Sequence, residues 1–445
     1  MYEVPINVAF KTIGCKVNQY ETGSLRQAFL ENGYIINNFN DKADIYIINT
    51  CAVTKEAVRK SKQMIRKAVR QNPSAIIIAT GCVIEANLSE LKDINISNYY
   101  LISNYYKDSI FSIFKDIKQK NSKKTIYYKP ASQIAYYSNN DFFNFNEHVR
   151  GLIKIQDGCE QFCSYCIIPY LRGRARSRTI ENIMAEAKNL ISNGHSEIVL
   201  LGINLGSYGN DLKENKSSLQ LLIQKMEKIE EINRIRLSSI EPPWVTDNLI
   251  DLFSKSSKIC HHLHIPLQSG DDNTLFLMNR KYNTEQYERI VRKLKKKMPH
   301  IAITTDVIVG FPGEDNHSFE KTYEFIKKMG LARVHVFPFS ERKSTLASLL
   351  PGKVKPDIIK ERVKILNCLS KQLQRNFFIK NIGKKKNVLI EYLGKKNNKD
   401  NICGLTDNYI KVCACEDVDK IKIGEMVKIE LKKVNESYVE GELIR

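Results

Sequence analysis

The stretch "DGCEQFCSYCIIP", residues 157–169, sets Cys159, Cys163 and Cys166 in a C-x3-C-x2-C pattern. Structural zinc sites close on four ligands, usually as two C-x2-C pairs or a Cys/His mixture. No fourth ligand stands at zinc-like spacing nearby, so a partial zinc site is the weaker alternative here. An iron–sulfur cube takes thiolates at its corners. Three cysteines would hold three irons and leave the fourth free for a small molecule. The residues leading in, "RGLIKIQDGC" from Arg150, read as a strand that runs straight into the motif.

Downstream, strand–helix units repeat to about residue 345. "ENIMAEAKNLISNGH" is a helical pattern ending at Gly194. "EIVLLGIN", "RIRLSSIEP", "HHLHIPLQSG", "ITTDVIVGFPGE" and "RVHVFPFS" read as strands with polar or glycine-bearing tips. With the opening strand they make a series of six, which predicts an open part of a β/α barrel with its active site at the carboxyl edge.

Upstream, residues 1 to about 100 also alternate strand and helix, which predicts a parallel sheet covered by helices. Three cysteines stand in matching places there: Cys15 after "KTIG", Cys51 after "IINT" and Cys82 after "IATG". Each follows a strand's carboxyl end, where α/β sheets bind ligands. One such cysteine would suit ordinary core packing; three at equivalent positions favour a site. The last part alternates apolar and polar residues between Gly, Asn and Asp turns, as a small all-β barrel does. The fold class is therefore α/β, divided as a βαβ domain over residues 1–115, a linker over 116–144, a partial (β/α)6 barrel over 145–375 and a β-barrel over 376–445.

The chain has 445 residues, 69 Lys+Arg against 49 Asp+Glu, and a net charge of +20. That balance suits a polyanionic partner such as nucleic acid, and a Lys-, Ile- and Asn-rich composition accounts for it equally well. "MYEVPINVAF" has no leader pattern, and no apolar run is long enough to span a bilayer. A cytoplasmic location follows, where clustered cysteines point to metal or catalysis rather than disulfides.

With Tyr165 before its last cysteine, the opening motif resembles that of the radical S-adenosylmethionine (SAM) superfamily. "IGCKVNQYET", "NTCAVT", "TGC", "CSYCIIPYLRGRARSR", "LLGINLGSYG", "HLHIPLQSGDD", "MNRKY" and "GFPGE" stand in the order of the methylthiotransferases over almost the full length. Within that family "GCKVNQYE" is most similar to the MtaB type. The resemblance implies a radical SAM core followed by a TRAM barrel for RNA. It also implies SAM and two [4Fe-4S] clusters, one on Cys159, Cys163 and Cys166, the other on Cys15, Cys51 and Cys82. A radical made from SAM would remove hydrogen from C2 of threonylcarbamoyladenosine at position 37 of tRNAs reading codons that begin with A. The second cluster would deliver sulfur and a second SAM the methyl group. A radical is needed because no side-chain base removes an unactivated ring hydrogen. The electron would come from a donor such as flavodoxin or ferredoxin.

For SAM the expected wall is Tyr165, Gly202, Asn204, Ser238, Glu241, Gln268, Ser269 and Gly310. For RNA the expected contacts are Lys16, Asn18 and Gln19, with Arg172, Arg174, Arg176 and Arg178 alternating so that an extended chain shows all four on one side. His261, His262 and His264 read as strand packing or pocket lining, and Cys413 and Cys415 as core. Asp315 and Ser344 depart from the family pattern. Action on isopentenyladenosine or a ribosomal-protein aspartate is one alternative. A non-catalytic Fe–S or zinc RNA-binding module is another.

Overall fold

The computed structural model describes residues 6–92, 98–120, 125–137, 149–212, 218–396, 399–415 and 421–444. Its first sheet is wholly parallel and orders its strands Ile35–Asn37, Asn7–Thr12, Ile45–Thr50, Ile76–Gly81, Tyr99–Ile102 and Ile126–Tyr127. Ile45–Thr50 is buried throughout, as a central strand covered by helices on both faces must be. The chain leaves Asn7–Thr12 in one direction and Ile45–Thr50 in the other, so the order reverses between them. Such a switch point opens a crevice at the carboxyl edge. The strand Ile126–Tyr127 belongs to this sheet, although the sequence places it in a linker.

Six parallel strands form the central arc: Gly151–Lys154, Glu197–Leu201, Arg234–Leu237, His262–His264, Ala302–Val309 and Arg333–Pro338. Two sheets of three are joined by bridges Ile235–Ile259 and Ser239–His264. Side chains alternate along each strand: Ile198 and Leu200 pack outward among the helices, while Val199 and Leu201 face inward. Their inward partners are Val17 and Tyr20 of helix Lys16–Leu30, so the first domain puts its first helix into the inner face of the arc.

A helix, Pro356–Ile379, opens on a proline and runs through the expected boundary at 375–376. It leads into a closed five-strand barrel. This barrel docks on residues in and just before two of the arc's strands, Arg234–Leu237 and His262–His264. Arg234 donates to the Leu405 carbonyl at 3.0 Å, Arg236 donates to the carbonyls of Thr406 and Asp407, and His261 meets Asp407 at 2.8 Å. Cys403 and Cys413 are directly opposed on neighbouring strands and disulfide-bonded, while Cys415 is exposed. The core placement read for Cys415 is thus corrected, and Cys403 has the partner that sequence spacing concealed, because antiparallel pairing joins positions ten apart. Among the described residues no helix is long and apolar enough to cross a membrane.

Candidate active site

Cys15, Cys51 and Cys82 converge at the sheet's switch point. Cys15 stands at the amino-terminal cap position of helix Lys16–Leu30 without a side-chain capping bond, Cys82 begins helix Cys82–Lys92, and Cys51 precedes the helix capped by Thr54. Helix amino ends favour anions, thiolates included. A Cβ built on Gly14 would lie 2.8 Å from Cys51 Cβ, so the glycine at this position, with φ +112°, lets the Cys15 loop close on Cys51. Burial, then the charges of Cys82 and Cys15, push the Cys51 thiol up to about 11.

The second triad sits in the loop after the first arc strand. The Cys166 amide donates to the Cys163 carbonyl and the Cys159 amide to the Gly173 carbonyl, which fixes the loop's curl. Burial and the adjacent thiols push Cys159 up to about 11 and Cys166 up to about 12. A buried thiol pair held protonated in this way, with a third thiol beside it, is a fit for a cationic centre, whose binding displaces the protons. Among the described residues no three His, Cys, Asp or Glu side chains suit a single metal ion. A cube spreads its thiolates over separate irons, so both triads fit that group better than one ion.

A loop connects the two. Arg342 donates to the Ala52 carbonyl beside Cys51, the Lys55 amide donates to Ser340 Oγ at 3.0 Å, and the Ala347 amide donates to the Ser164 carbonyl at 2.8 Å. "ERKSTLAS", where the sequence departs from its family pattern, therefore bonds through Arg342 and Ala347 to residues adjoining both triads. The other departure, Asp315, caps helix Asn316–Met329 by accepting from the Ser318 amide at 2.7 Å, a task threonine also performs.

The expected SAM wall divides. Tyr165 packs against the cluster of Met278, Phe311 and Ala347 beside its cysteine neighbours. Among the described residues Asn204 Oδ1 and Ser238 Oγ are buried without a hydrogen-bond partner, and Glu241 pairs with Arg280. These tips of successive strands suit the amino, carboxylate and hydroxyl groups of SAM. At Gly202 a side chain would crowd Gln156 and Leu205. Gln268 bridges strands through its backbone, with φ +66°. Ser269 also meets Thr322 at 3.2 Å, and a Cβ on Gly310 would strike Ile359 at 2.4 Å, so both also stand against packed helices.

The arginine stripe is corrected too. Arg172 ends helix Ile168–Arg172, so the stretch is not one extended strand. Arg172, Arg176 and Arg178 are buried in ion pairs and only Arg174 is exposed. Arg172 holds Glu21 at 2.7 Å, Asp157 at 3.0 Å and Asn18 Oδ1 at 2.7 Å. Asn18 in turn donates to the carbonyls of Ile13 and Thr50, which flank Cys15 and Cys51. Asn18 is buried, so it holds this frame and is not free for RNA. Burial alone would raise the Glu21 carboxyl; Arg172, Lys107 and Lys154 outweigh it and hold it well below the usual carboxylate range. Arg178 pairs with Glu186, whose other contact is Tyr20 at 3.0 Å. Gln19 is exposed. Lys16 points into the arc, 6.0 Å from the ring of Tyr409, which also stacks on His262 at 4.3 Å.

Sequence reading missed Arg280, although "MNRKY" had singled out its segment. Its Nη1 lies 3.0 Å from Cys163 Sγ and 3.4 Å from the Tyr165 hydroxyl, which places a cation beside a ligand thiol. Nothing local signals this, because Arg280 is brought in from a helix end more than a hundred residues away.

Three family models match consecutive parts of the chain: the uncharacterized protein family UPF0004 over residues 7–102, the radical SAM superfamily over 153–326 and the TRAM domain over 380–444. The chain is 38% identical to the threonylcarbamoyladenosine tRNA methylthiotransferase MtaB of Bacillus subtilis, over 98% of this chain and 96% of that one. The chain belongs to the MtaB family of radical SAM tRNA methylthiotransferases. The Aquifex aeolicus MtaB matches at 38% over 92% of this chain and 96% of its own. A tRNA-2-methylthio-N(6)-dimethylallyladenosine synthase of Clostridium botulinum matches at 33% over 98% and 96%. Among solved structures, the radical SAM methyltransferase TsrM of Kitasatospora setae superposes with a TM-score of 0.57 at 13% identity, covering 78% of this chain and 77% of that one. That likeness concerns the fold alone. Membership makes the chain a methylthiotransferase that works with SAM and two [4Fe-4S] clusters, for which the two triads supply the right ligand type and number.

Proposed function

We propose that this chain transfers a methylthio group to C2 of threonylcarbamoyladenosine at position 37 of tRNAs reading codons that begin with A. The observation that carries this reading is the pair of cysteine triads joined through the loop Ser340–Ala347. In this assignment Cys159, Cys163 and Cys166 hold the cluster that binds SAM, and Cys15, Cys51 and Cys82 hold the cluster that brings sulfur. When bound, these groups supply the radical, the sulfur and the methyl group that no side chain can provide. The chain's own part is placement. Arg280 screens the charge at Cys163, Asn204 and Ser238 offer unpaired polar atoms to SAM, and the Arg172–Asn18 frame fixes the Cys15 and Cys51 loops relative to the arc.

The electron donor in this reading is a flavodoxin or ferredoxin, and the location is the cytoplasm, where ligand thiols stay reduced. Mass spectrometry of tRNA nucleosides from cells with and without the gene tests the substrate. Loss of the methylthio-threonylcarbamoyl nucleoside on deletion is the expected result. Loss of the methylthio-isopentenyl nucleoside instead, or no change in any nucleoside, would overturn it.

For RNA contact the carboxyl-terminal barrel offers Lys385, Lys411, Lys428 and Lys433, all exposed. Exchanging these four for glutamine should weaken tRNA binding and flatten its salt dependence by about 0.7–0.9 log units per lost phosphate contact. Deleting the whole barrel is the poorer test, because it strips Arg234 and Arg236 of their carbonyl partners. An unchanged salt slope in the fourfold variant would mean these lysines are only a solvated face.

A further inference from the structure

Lys16 follows a cysteine of the first triad and is half-buried, yet it has no carboxylate partner among the described residues. Its neighbours in the arc have theirs: Arg236 holds Glu197, Arg150 holds Glu391, and His264 holds Asp306 at 3.1 Å. A cation withdrawn from water without a partner is costly unless something anionic meets it. The site has further unfinished features. His262 Nδ1 is buried without a hydrogen-bond partner among the described residues, while its Nε2 is engaged with Thr304 at 3.1 Å. Tyr409, from the carboxyl-terminal barrel, lies between His262 and Arg236, 4.9 Å from the latter's guanidinium, on a backbone with φ +64°. A non-glycine residue is held there only where its surroundings over-determine it.

We propose that the threonyl carboxylate of the target nucleoside docks inside the arc against Lys16, over a floor made by Tyr409 and His262. The TRAM barrel would then contribute a residue to the substrate pocket besides any RNA contact on its surface. This rests on the threonylcarbamoyl reading above. A carboxylate is the group that distinguishes this substituent from an isopentenyl chain, which is purely apolar and would leave the ammonium unmatched. Because Lys16 adjoins Cys15, a base placed to receive sulfur at that triad would carry its N6 substituent toward this ammonium. Lys16 is thus a specificity-determining residue, with no part in cluster ligation.

The test uses reconstituted holoenzyme and two anticodon stem-loop RNAs, one with threonylcarbamoyladenosine and one with its carboxyl methyl ester. The wild type should prefer the acid over the ester by on the order of tenfold to a hundredfold in kcat/KM, the range for a hydrogen bond to a charged group. Lys16→Met should keep its iron and its SAM cleavage, act poorly on both RNAs and lose the preference. Lys16→Arg should restore much of it. Tyr409→Asn, which tolerates the same backbone, should raise KM for the acid with little change in kcat. A Lys16→Met enzyme that still prefers the acid as the wild type does would overturn the proposal. An unchanged KM in Tyr409→Asn would overturn the assignment of the floor. Wild-type inactivity on threonylcarbamoyladenosine RNA would overturn the substrate reading as well.

Discussion

Changing Cys159, Cys163 and Cys166 together to alanine should remove about half of the roughly eight irons that two cubes carry, and with them all SAM cleavage. The matching change at Cys15, Cys51 and Cys82 should remove the other half, leave uncoupled SAM cleavage and abolish sulfur insertion. The asymmetry follows from the placement of the triads. The Cys159, Cys163 and Cys166 triad lies beside Tyr165, Arg280 and the strand-tip atoms that suit SAM, whereas the Cys15, Cys51 and Cys82 triad sits at the separate switch point of the amino-terminal sheet. Iron analysis and product chromatography on anaerobically purified protein check both variants. Zinc in place of iron in the wild type, or sulfur insertion by the first-domain variant, would refute the assignment.

Exchanging Arg172 for methionine should act far beyond one ion pair. Arg172 is 3% exposed, and its removal leaves Glu21 and Asp157 short of a buried partner. Breaking such a pair from one side costs about 3–5 kcal/mol. It also releases Asn18, and with it the carbonyls beside Cys15 and Cys51, so the variant should lose about half its iron although every ligand thiol is intact. The pH dependence has a definite sign. Both carboxyls are held below their ordinary values in the folded chain, so their contribution is complete above about pH 4–4.5 and is lost as pH falls through the folded values. Without Arg172 those values rise, and acid unfolding should begin at higher pH. Thermal melts between pH 3 and 7, with iron content measured in parallel, check this. A variant with full iron and an unchanged acid profile would show that the frame does not support the first triad.

Much of the site was legible because it is written in local pattern. Three cysteines at equivalent strand ends need only the βαβ alternation to be placed on one edge, and the edge then brings them together. The C-x3-C-x2-C loop carries its own curl. The arginine stripe misled for a related reason. Alternation predicts one face only if the chain is extended, and Gly173, at φ +74°, turns it sharply after a helix end. Arg174 therefore faces solvent while its three neighbours are buried among carboxylates or carbonyls of three different segments.

What the sequence by itself determined is the candidate ligand set and the three-part architecture, because cysteine spacing and hydrophobic period are local properties of the chain; that the first helix packs into the inner face of the arc came only from the tertiary structure. What only the tertiary structure decided is which charges are free. Glu21, Asp157 and Arg172 look like surface residues in one dimension and form a closed buried network in three. Lys16 looks like one more lysine among many, yet it is left half-buried inside the arc, without a carboxylate partner among the described residues. The physical reason is that a charge's cost and use depend on what surrounds it. That environment is assembled from residues far apart in the chain, such as Arg236, His262 and Tyr409, whose closeness no local pattern encodes.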